Sequence, residues 1–396
     1  MEAKSLNGFR LDDLHLAVER VGSSWPDFQN ANIFITGATG FLGQWVLAVL
    51  IQADRERGLN LKISVLTRSP KKFAAKNPEL AGSQIVALLH GDVRSFEFPK
   101  GTFTHLIHAA TDTSMAADNN PLVLLDSIVE GTKRVLKFAH MAGIQKVLFT
   151  SSGAIYGPQP ADVEQISEEY GGACSTTDRR SVYGQGKRLA EQMMTIYSRE
   201  FGIETKIARC FAFAGPGMAL DAHFAIGNFI RDAIAGGPIK INGDGLPVRS
   251  YMYAADAAVW LIKILAAGQA GEAYNVGSDQ AYTLTEIANT AAAVINPQVK
   301  VNILGKEHAG FRSRYIPNIG KSKSLGLEIW TDIKTTIART AEWHAANRNN
   351  TPTGWQTEVG IQEGKGERVK GYTFVVDIDG VLASLSANND YALATP

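Results

Sequence analysis

Residues 32–43 read Asn-Ile-Phe-Ile-Thr-Gly-Ala-Thr-Gly-Phe-Leu-Gly. The β-prone run Ile33-Phe34-Ile35 meets Thr36-Gly37, glycines recur at Gly40 and Gly43, and Trp45–Leu50 continues as an apolar stretch suited to a buried helix. A strand that turns abruptly into a helix leaves unpaired backbone N–H groups at the helix N-terminus, where the helix dipole also favours negative charge. Such a terminus accepts a pyrophosphate. In that reading Gly37 permits the tight turn, Gly40 lets phosphates approach the backbone, and Gly43 lets the helix lie close to its strand. The spacing is G-x-x-G-x-x-G, and a glycine triplet alone also fits an ordinary strand–turn–helix. The strand before it and the helix after it select the dinucleotide site.

A chain of 396 residues with 45% hydrophobic content supports one large unit and a smaller one. Basic and acidic residues balance at 39 each, which gives no reason to expect a nucleic-acid binder or a membrane-surface protein. Two cysteines, Cys174 and Cys210, are too few for a disulfide framework or a zinc site. Residues 1–10 lack a basic-then-apolar leader pattern and no apolar run approaches a membrane span, so a cytoplasmic soluble protein is expected.

Along the chain, Leu11–Val21 has the spacing of a short amphipathic lead-in helix. Strands are expected at Leu61–Leu66, Gln84–Leu89, Thr104–His108 and Lys146–Phe149, with a helix from Pro121 to Met141. Strands alternating with helices predict an α/β fold, a parallel doubly wound sheet whose ligands lie at the C-terminal strand ends. Polar residues collect at those ends. Arg68 follows strand two, where an acid would bond the ribose of NAD and an arginine can pair with the extra phosphate of NADP; a solvated loop arginine reads equally well. Asp92, beside Val93, can accept from the adenine amine, Ala109 and Ala110 lie against the cofactor, and Asp112 falls near its nicotinamide end.

Tyr183 and Lys187 stand four apart, on one face of a helix. A free phenol, with a pKa of about 10, is a poor base at neutral pH. A nearby ammonium favours the phenolate and brings Tyr183 into range for proton transfer. Ser152, at the end of strand five, would hydrogen-bond the same substrate oxygen.

Taken together, Thr36–Gly43 (TGATGFLG), Gly91-Asp92-Val93, His108-Ala109-Ala110, Ser151–Gly157 (SSGAIYG), Tyr183–Lys187, Arg209–Pro216 (RCFAFAGP), Gly243-Asp244-Gly245, Arg249–Asp256 (RSYMYAAD) and Ala273–Ser278 (AYNVGS) resemble the extended short-chain dehydrogenase/reductases, the nucleotide-sugar epimerase/dehydratase branch in particular. The resemblance spans about residues 30–345. It implies a Rossmann-type domain over 31–213, after the 1–30 lead-in, and a smaller substrate-binding lobe over 214–345 that crosses back. It further implies that Ser152, Tyr183 and Lys187 are catalytic, that Lys187 also holds the nicotinamide ribose, and that Gly37, Gly40, Phe41, Leu42 and Gly43 line the cofactor loop. Arg249 matches a position that contacts the substrate diphosphate, a task suited to a planar guanidinium fork, although a surface arginine reads similarly. Asn228 is expected to begin a helix under the nucleotide. Partners follow as a nucleotide sugar and a second copy of the chain, because helices flanking the catalytic segments commonly pair in this family.

The sequence also departs from the branch. Many relatives place a phosphate-binding asparagine where Ala212 stands, and dehydratases follow the serine or threonine with Asp-Glu where this chain has Gly153-Ala154. Neither the acid nor the base of an elimination is present there, which argues against a 4,6-dehydratase. In an epimerase, Tyr183 would take a proton from a sugar hydroxyl while hydride passes to the cofactor and returns on the other face. In a 4-ketoreductase of a nucleotide-linked deoxysugar, NADPH would supply the hydride and Tyr183 the proton. The resemblance favours the epimerase with NAD, and Arg68 the reductase with NADP. A dihydroflavonol-type reductase fits the lobe motifs poorly, and a non-catalytic sensor would be expected to lose Tyr183 or Lys187.

Residues 346–370 turn polar and glycine-rich, as a linker does. The tail, 371–396, carries an apolar run ending in Asp377-Ile378-Asp379-Gly380-Val381, which resembles the first motif of the haloacid dehalogenase-like phosphatases. There the two aspartates would serve as nucleophile and acid/base around magnesium. The alternative is an edge strand with a solvated acidic turn. Joined to sugar modification, a complete domain of that kind would fit surface-polysaccharide synthesis.

Overall fold

A computed structural model describes residues 5–111, 120–221, 224–306 and 313–347, with the backbone alone at 375–376 and 382–383. Seven strands form the central sheet: β1 (Asn32–Thr36), β2 (Lys62–Thr67), β3 (Val86–His90), β4 (His105–His108), β5 (Lys146–Ser152), β6 (Glu204–Cys210) and, arriving from the second lobe, β11 (Ala273–Val276). Their order is β11-β6-β5-β4-β1-β2-β3, and every pairing is parallel. The order reverses beside β1, which opens the crevice at its C-terminal end where doubly wound sheets bind ligands. The expected strands are present: the two expected at Leu61–Leu66 and Gln84–Leu89 sit a residue or two further on, that at Thr104–His108 starts one residue later, and that at Lys146–Phe149 runs on to Ser152.

Buried strands need both faces covered. On one face lie α1 (Leu11–Val21), α2 (Phe41–Arg57) and α7 (Ala254–Ala267), around Leu14, Trp45, Leu47, Val259 and Trp260. The other face is closed by α4 (Pro121–Met141) and α5 (Val182–Phe201), whose Ile128, Leu136, Phe138, Ala190 and Met194 pack on Phe34 and Phe149. The lead-in helix forms at the expected residues. It is tied into the fold by Tyr253 Oη donating to Asp13 at 2.6 Å, by an Arg339–Asp13 ion pair, and by Arg20 to Asp256 at 2.8 Å.

The second lobe has its own core. Helices α6 (Ala225–Ala235), α8 (Leu284–Ile295) and α9 (Ile333–Ala346) bury Ile226, Phe229, Ile230, Ile287, Ala291 and Ile337 around β8 (Ile239–Ile241). A three-stranded sheet places β9 (Val248–Arg249) between β12 (Tyr282–Thr283) and β14 (Arg314–Tyr315). Between β6 and α6 lies β7 (Phe213–Ala214), parallel to β10 (Met252–Tyr253); these two carry the chain between lobe and main sheet. A capping box, in which Thr283 and Glu286 satisfy each other's backbone N–H groups, starts α8. The expected linker beyond residue 347 and the Asp377–Asp379 motif lie outside the described residues; Ala346, expected in the linker, instead ends α9, and beside the motif Val375–Val376 pairs antiparallel with Leu382–Ala383.

Candidate active site

The turn after β1 is built as its glycines require. Gly37 has φ +80°, and a Cβ there would lie 2.3 Å from the backbone of Ala109 at the end of β4. A Cβ on Gly43 would lie 2.2 Å from Gly37 O and 2.7 Å from Ala38 Cα, so only glycine lets α2 sit this close to the turn. Around Gly40 the nearest atom to such a Cβ is Gly37 O at 3.4 Å. Gly40 caps α2 without a side-chain hydrogen bond, and the first turn of the helix holds no acid. The N–H groups of Phe41, Leu42 and Gly43 therefore head a 17-residue helix with nothing negative in its first turn, a cradle that fits a pyrophosphate. Opposite, Ala109 N donates to Thr36 O at 3.0 Å and Ala110 N to Thr36 Oγ1 at 3.3 Å, fixing the other wall of the crevice.

His108 stands behind that wall. Its ring nitrogens meet Thr36 Oγ1 at 2.8 Å and Thr132 Oγ1 at 3.1 Å, and burial, then the Lys187 charge, push its pKa down to about 3. It is a neutral spacer between β1, β4 and α4. Just past β3, Asp92 is engaged by its own neighbour: Arg94 donates from Nε at 2.8 Å and from Nη2 at 3.1 Å. That fork, more than burial opposes it, holds the Asp92 carboxyl below its usual range, with a smaller contribution from Arg68. Arg68 is exposed just past β2, and Val93 packs where a Cβ on Gly131 of α4 would meet it at 2.9 Å.

Across the crevice, Ser152 closes β5 and is 2% exposed. Its Oγ accepts from Ala154 N at 3.1 Å, capping a short 3-10 turn over Gly153–Tyr156, a bond that leaves the hydroxyl proton available for another oxygen. Tyr183 and Lys187 share one face of α5. The Lys187 ammonium, 2% exposed, lies 4.6 Å from the Phe149 ring and 5.8 Å from the Tyr183 ring. It donates to Thr150 O at 2.6 Å and to Thr111 Oγ1 at 2.9 Å. Burial pushes its pKa down to about 8, against the opposing influence of Cys210 and Glu191. A cation held between strand end and phenol is what tyrosine-based proton transfer needs.

Beneath these groups runs a buried polar network that the sequence reading passed over. Ser151 Oγ donates to Glu191 Oε1 at 2.5 Å, and Arg209 forks onto Glu191 from Nε at 3.2 Å and Nη2 at 2.9 Å. Arg209 Nη1 donates to Tyr156 Oη at 2.8 Å, and that hydroxyl donates to Asn275 Oδ1 at 2.9 Å. Tyr183, Lys187 and Glu191 recur every four residues, so the helical face carrying the first two also presented the third.

Of the expected substrate residues, Arg249 is not at the surface. It is 6% exposed on β9, and its guanidinium donates to Val248 O at 2.9 Å and Ser313 O at 3.1 Å. Helix α6 begins three residues before Asn228, whose Oδ1 accepts from Arg231 at 2.8 Å. Asn228 lines a groove of about 480 Å³ with Arg231, Asp232, Lys240 and Asn242, which contains none of the other candidate residues. Ala212, in place of the asparagine, is 1% exposed in the lobe core. Asp112 lies outside the described residues.

The fold and the glycine turn define a dinucleotide-binding α/β enzyme, in which Ser152 ends β5 and Lys187 of α5 reaches the same strand end at Thr150. The family model for the NAD-dependent epimerase/dehydratase family matches residues 33–277, and the chain belongs to that family. It is 30% identical over 297 residues to UDP-glucuronic acid decarboxylase 6 of Arabidopsis thaliana, covering 75% of this chain and 83% of the relative. The same fold is found in UDP-glucose 4-epimerase of Thermotoga maritima with UDP-glucose (TM-score 0.66, 19% identity, 80% of this chain and 99% of the other). It recurs in dTDP-glucose 4,6-dehydratase of Streptomyces venezuelae with NAD bound (TM-score 0.67, 23% identity, 80% and 98%). Relatives and family are NAD-dependent nucleotide-sugar enzymes. No helix among the described residues is long and apolar enough to cross a membrane.

Proposed function

We propose that this enzyme is a nucleotide-sugar epimerase that works through a transient keto sugar. The observation that carries the reading is Lys187, buried between Tyr183 and the strand end at Thr150–Ser152. Tyr183 Oη removes the proton from a sugar hydroxyl, and the Lys187 ammonium stabilises the phenolate that this requires. Ser152 Oγ donates to the same sugar oxygen and holds it in place. NAD, when bound, would supply a reversible hydride acceptor for the sugar carbon. The N–H groups of residues 41–43 would hold the cofactor pyrophosphate, Lys187 its nicotinamide ribose, and Asp92 its adenine amine, for which the Arg94 fork must share the carboxylate. Arg68 is the group that would meet the extra phosphate of NADP. In the lobe, Arg249 would face the substrate diphosphate. Gly153 and Ala154 provide no acid or base for elimination, which supports return of the hydride over loss of water.

A second reading is favoured by the names of the curated relatives, which are UDP-glucuronic acid decarboxylases. Oxidising the hydroxyl two carbons from a sugar carboxylate gives a β-keto acid, which loses carbon dioxide readily, so the same three residues would serve. The test is to incubate the purified chain with NAD and, separately, UDP-glucose and UDP-glucuronic acid, following the sugars by NMR and the gas by trapping. Inversion of one ring hydroxyl without net reduction of NAD supports the epimerase. Carbon dioxide from UDP-glucuronic acid replaces that reading with the decarboxylase, and an unchanged sugar in both incubations contradicts both.

A further inference from the structure

The space for a side chain after Ser152 is already filled, and it is filled from the other lobe. A Cβ on Gly153 would lie 2.3 Å from Tyr315 Oη, 2.8 Å from Tyr315 Cζ and 2.8 Å from Phe211 Cζ. The backbone of Gly153 is not among those with positive φ, so what this position demands of its residue is room.

Tyr315 cannot simply swing away. It is 0% exposed, its ring lies 4.5 Å from that of Phe211, and both belong to an apolar cluster with Ile155, Tyr156 and Ile166. From the lobe side it is held in β14, opposite Arg249 in the parallel pairing with β9. The residues after it are pinned to the loop that follows β5. Ile316 N donates to Gln159 Oε1 at 2.9 Å, Ile166 N to Ile316 O at 2.9 Å, and Asn318 N to Ile166 O at 2.7 Å. Asn275 closes the seam by donating from Nδ2 to Ile166 O at 2.9 Å and to Asn318 O at 3.0 Å. One tyrosine thus joins the strand carrying the proposed diphosphate arginine to the end of the strand carrying Ser152.

We propose that Tyr315 is a specificity-determining residue: by occupying the side-chain space of position 153 it keeps any acid or base from following Ser152, and so restricts the site to oxidation and return at a sugar hydroxyl. A dehydratase-like acid at this position has nowhere to go while Tyr315 is in place. The inference rests on the reading that Ser152, Tyr183 and Lys187 act on a sugar hydroxyl.

The test uses the full chain with Gly153→Ala, Gly153→Asp, Tyr315→Ala and the two double variants. Thermal unfolding with NAD present reads occupancy. Gly153→Ala lowers Tm by several degrees in the parent and by much less in a Tyr315→Ala background, whose own Tm is lower because a buried ring has been removed; that difference is the coupling expected of side chains that compete for one volume. Turnover of UDP-glucose in D2O reads specificity. The parent leaves the hydrogen on the carbon next to the transient ketone unexchanged, whereas Gly153→Asp/Tyr315→Ala exchanges it for deuterium at least tenfold faster, because a carboxylate now stands after Ser152. Packing alone would not move that isotope. Equal Tm for Gly153→Ala and the parent overturns the proposal, as does a folded, turning-over double variant that shows no exchange. A parent that turns over no nucleotide sugar overturns the reading of the site and this proposal with it. A parent that turns over without Gly153–Tyr315 coupling overturns the proposal alone.

Discussion

Replacing Glu191 with glutamine keeps the shape of the network under the site and removes one charge. The Arg209 side chain is 15% exposed and that of Glu191 11%, so the guanidinium loses its counter-charge where water cannot replace it. Burial works against the Arg209 cation, yet the Glu191 carboxylate and the Tyr156 oxygen more than offset it, and its pKa lies above the ordinary value. A guanidinium is basic enough to stay charged in a protein whatever its partner, so the Arg209 cation remains when Glu191 is neutral. Breaking a buried pair from one side costs about 3–5 kcal/mol. With an unfolding entropy of about 2.1 cal/mol/K per residue, a unit of this size gives up about 0.7 kcal/mol per degree, which predicts a Tm lower by about 4–7 °C. Because Ser151 Oγ donates to the same carboxylate, the end of β5 loosens as well, and kcat should fall about tenfold while KM for the nucleotide sugar changes less than threefold. Differential scanning calorimetry and steady-state kinetics on Glu191→Gln and Glu191→Ala measure both, with alanine the worse. A Glu191→Gln protein with parental Tm and kcat would mean that the buried pair supports neither the fold nor the end of β5.

Lys187 sets an alkaline limit. Its depressed pKa of about 8 predicts that kcat/KM falls as pH rises through that value, while the cost of burying the ammonium, fully present below pH 8, is relieved between there and the unfolded value; a rate profile flat to pH 10 would contradict this. Asp256 carries the opposite sign among the acids: burial, against Arg20, raises its pKa to about 6, so its contribution to stability falls as pH rises from about 4 to 6. Asp256→Asn should therefore gain stability relative to the parent across that range, by up to about 3 kcal/mol, as read by urea unfolding at fixed pH values. Gly43→Ala forces a methyl to 2.2 Å from Gly37 O and should weaken NAD binding at least tenfold in calorimetric titration. Arg68→Ala should lower affinity for NADP about tenfold and leave NAD nearly unchanged, whereas unchanged affinity for both would mean that Arg68 has no part in cofactor binding.

The sheet and the cofactor turn were legible because local constraints write them: apolar runs at regular spacing, and glycines where a Cβ would strike backbone. The strand boundaries slipped by a residue or two because His90 and Thr67 pair within the sheet although neither is apolar. Lys187 and Tyr183 could be read from helical spacing, and the same spacing ran on to Glu191. Its partner Arg209 comes from a different strand, and only the fold brings them together. The alternative of a surface arginine fails for Arg249, which is buried because β9 is the middle of a three-stranded sheet rather than an edge. Asn228 was assigned by its neighbours in sequence, yet α6 starts at Ala225 and turns it towards Arg231 and the groove. Gly153 was read as a missing acid. Its reason, Tyr315, lies more than 160 residues further on, and no local pattern connects the two.

An epimerase of this kind must take hydrogen from one sugar carbon and return it to the same carbon. A UDP-sugar deuterated at the carbon whose hydroxyl is inverted, turned over by the full chain with NAD, should give a product that keeps the deuterium on that same carbon, now in the opposite configuration, and Tyr183→Phe should slow this by several orders of magnitude. Deuterium lost to water, or inversion that proceeds unimpaired in Tyr183→Phe, would contradict it.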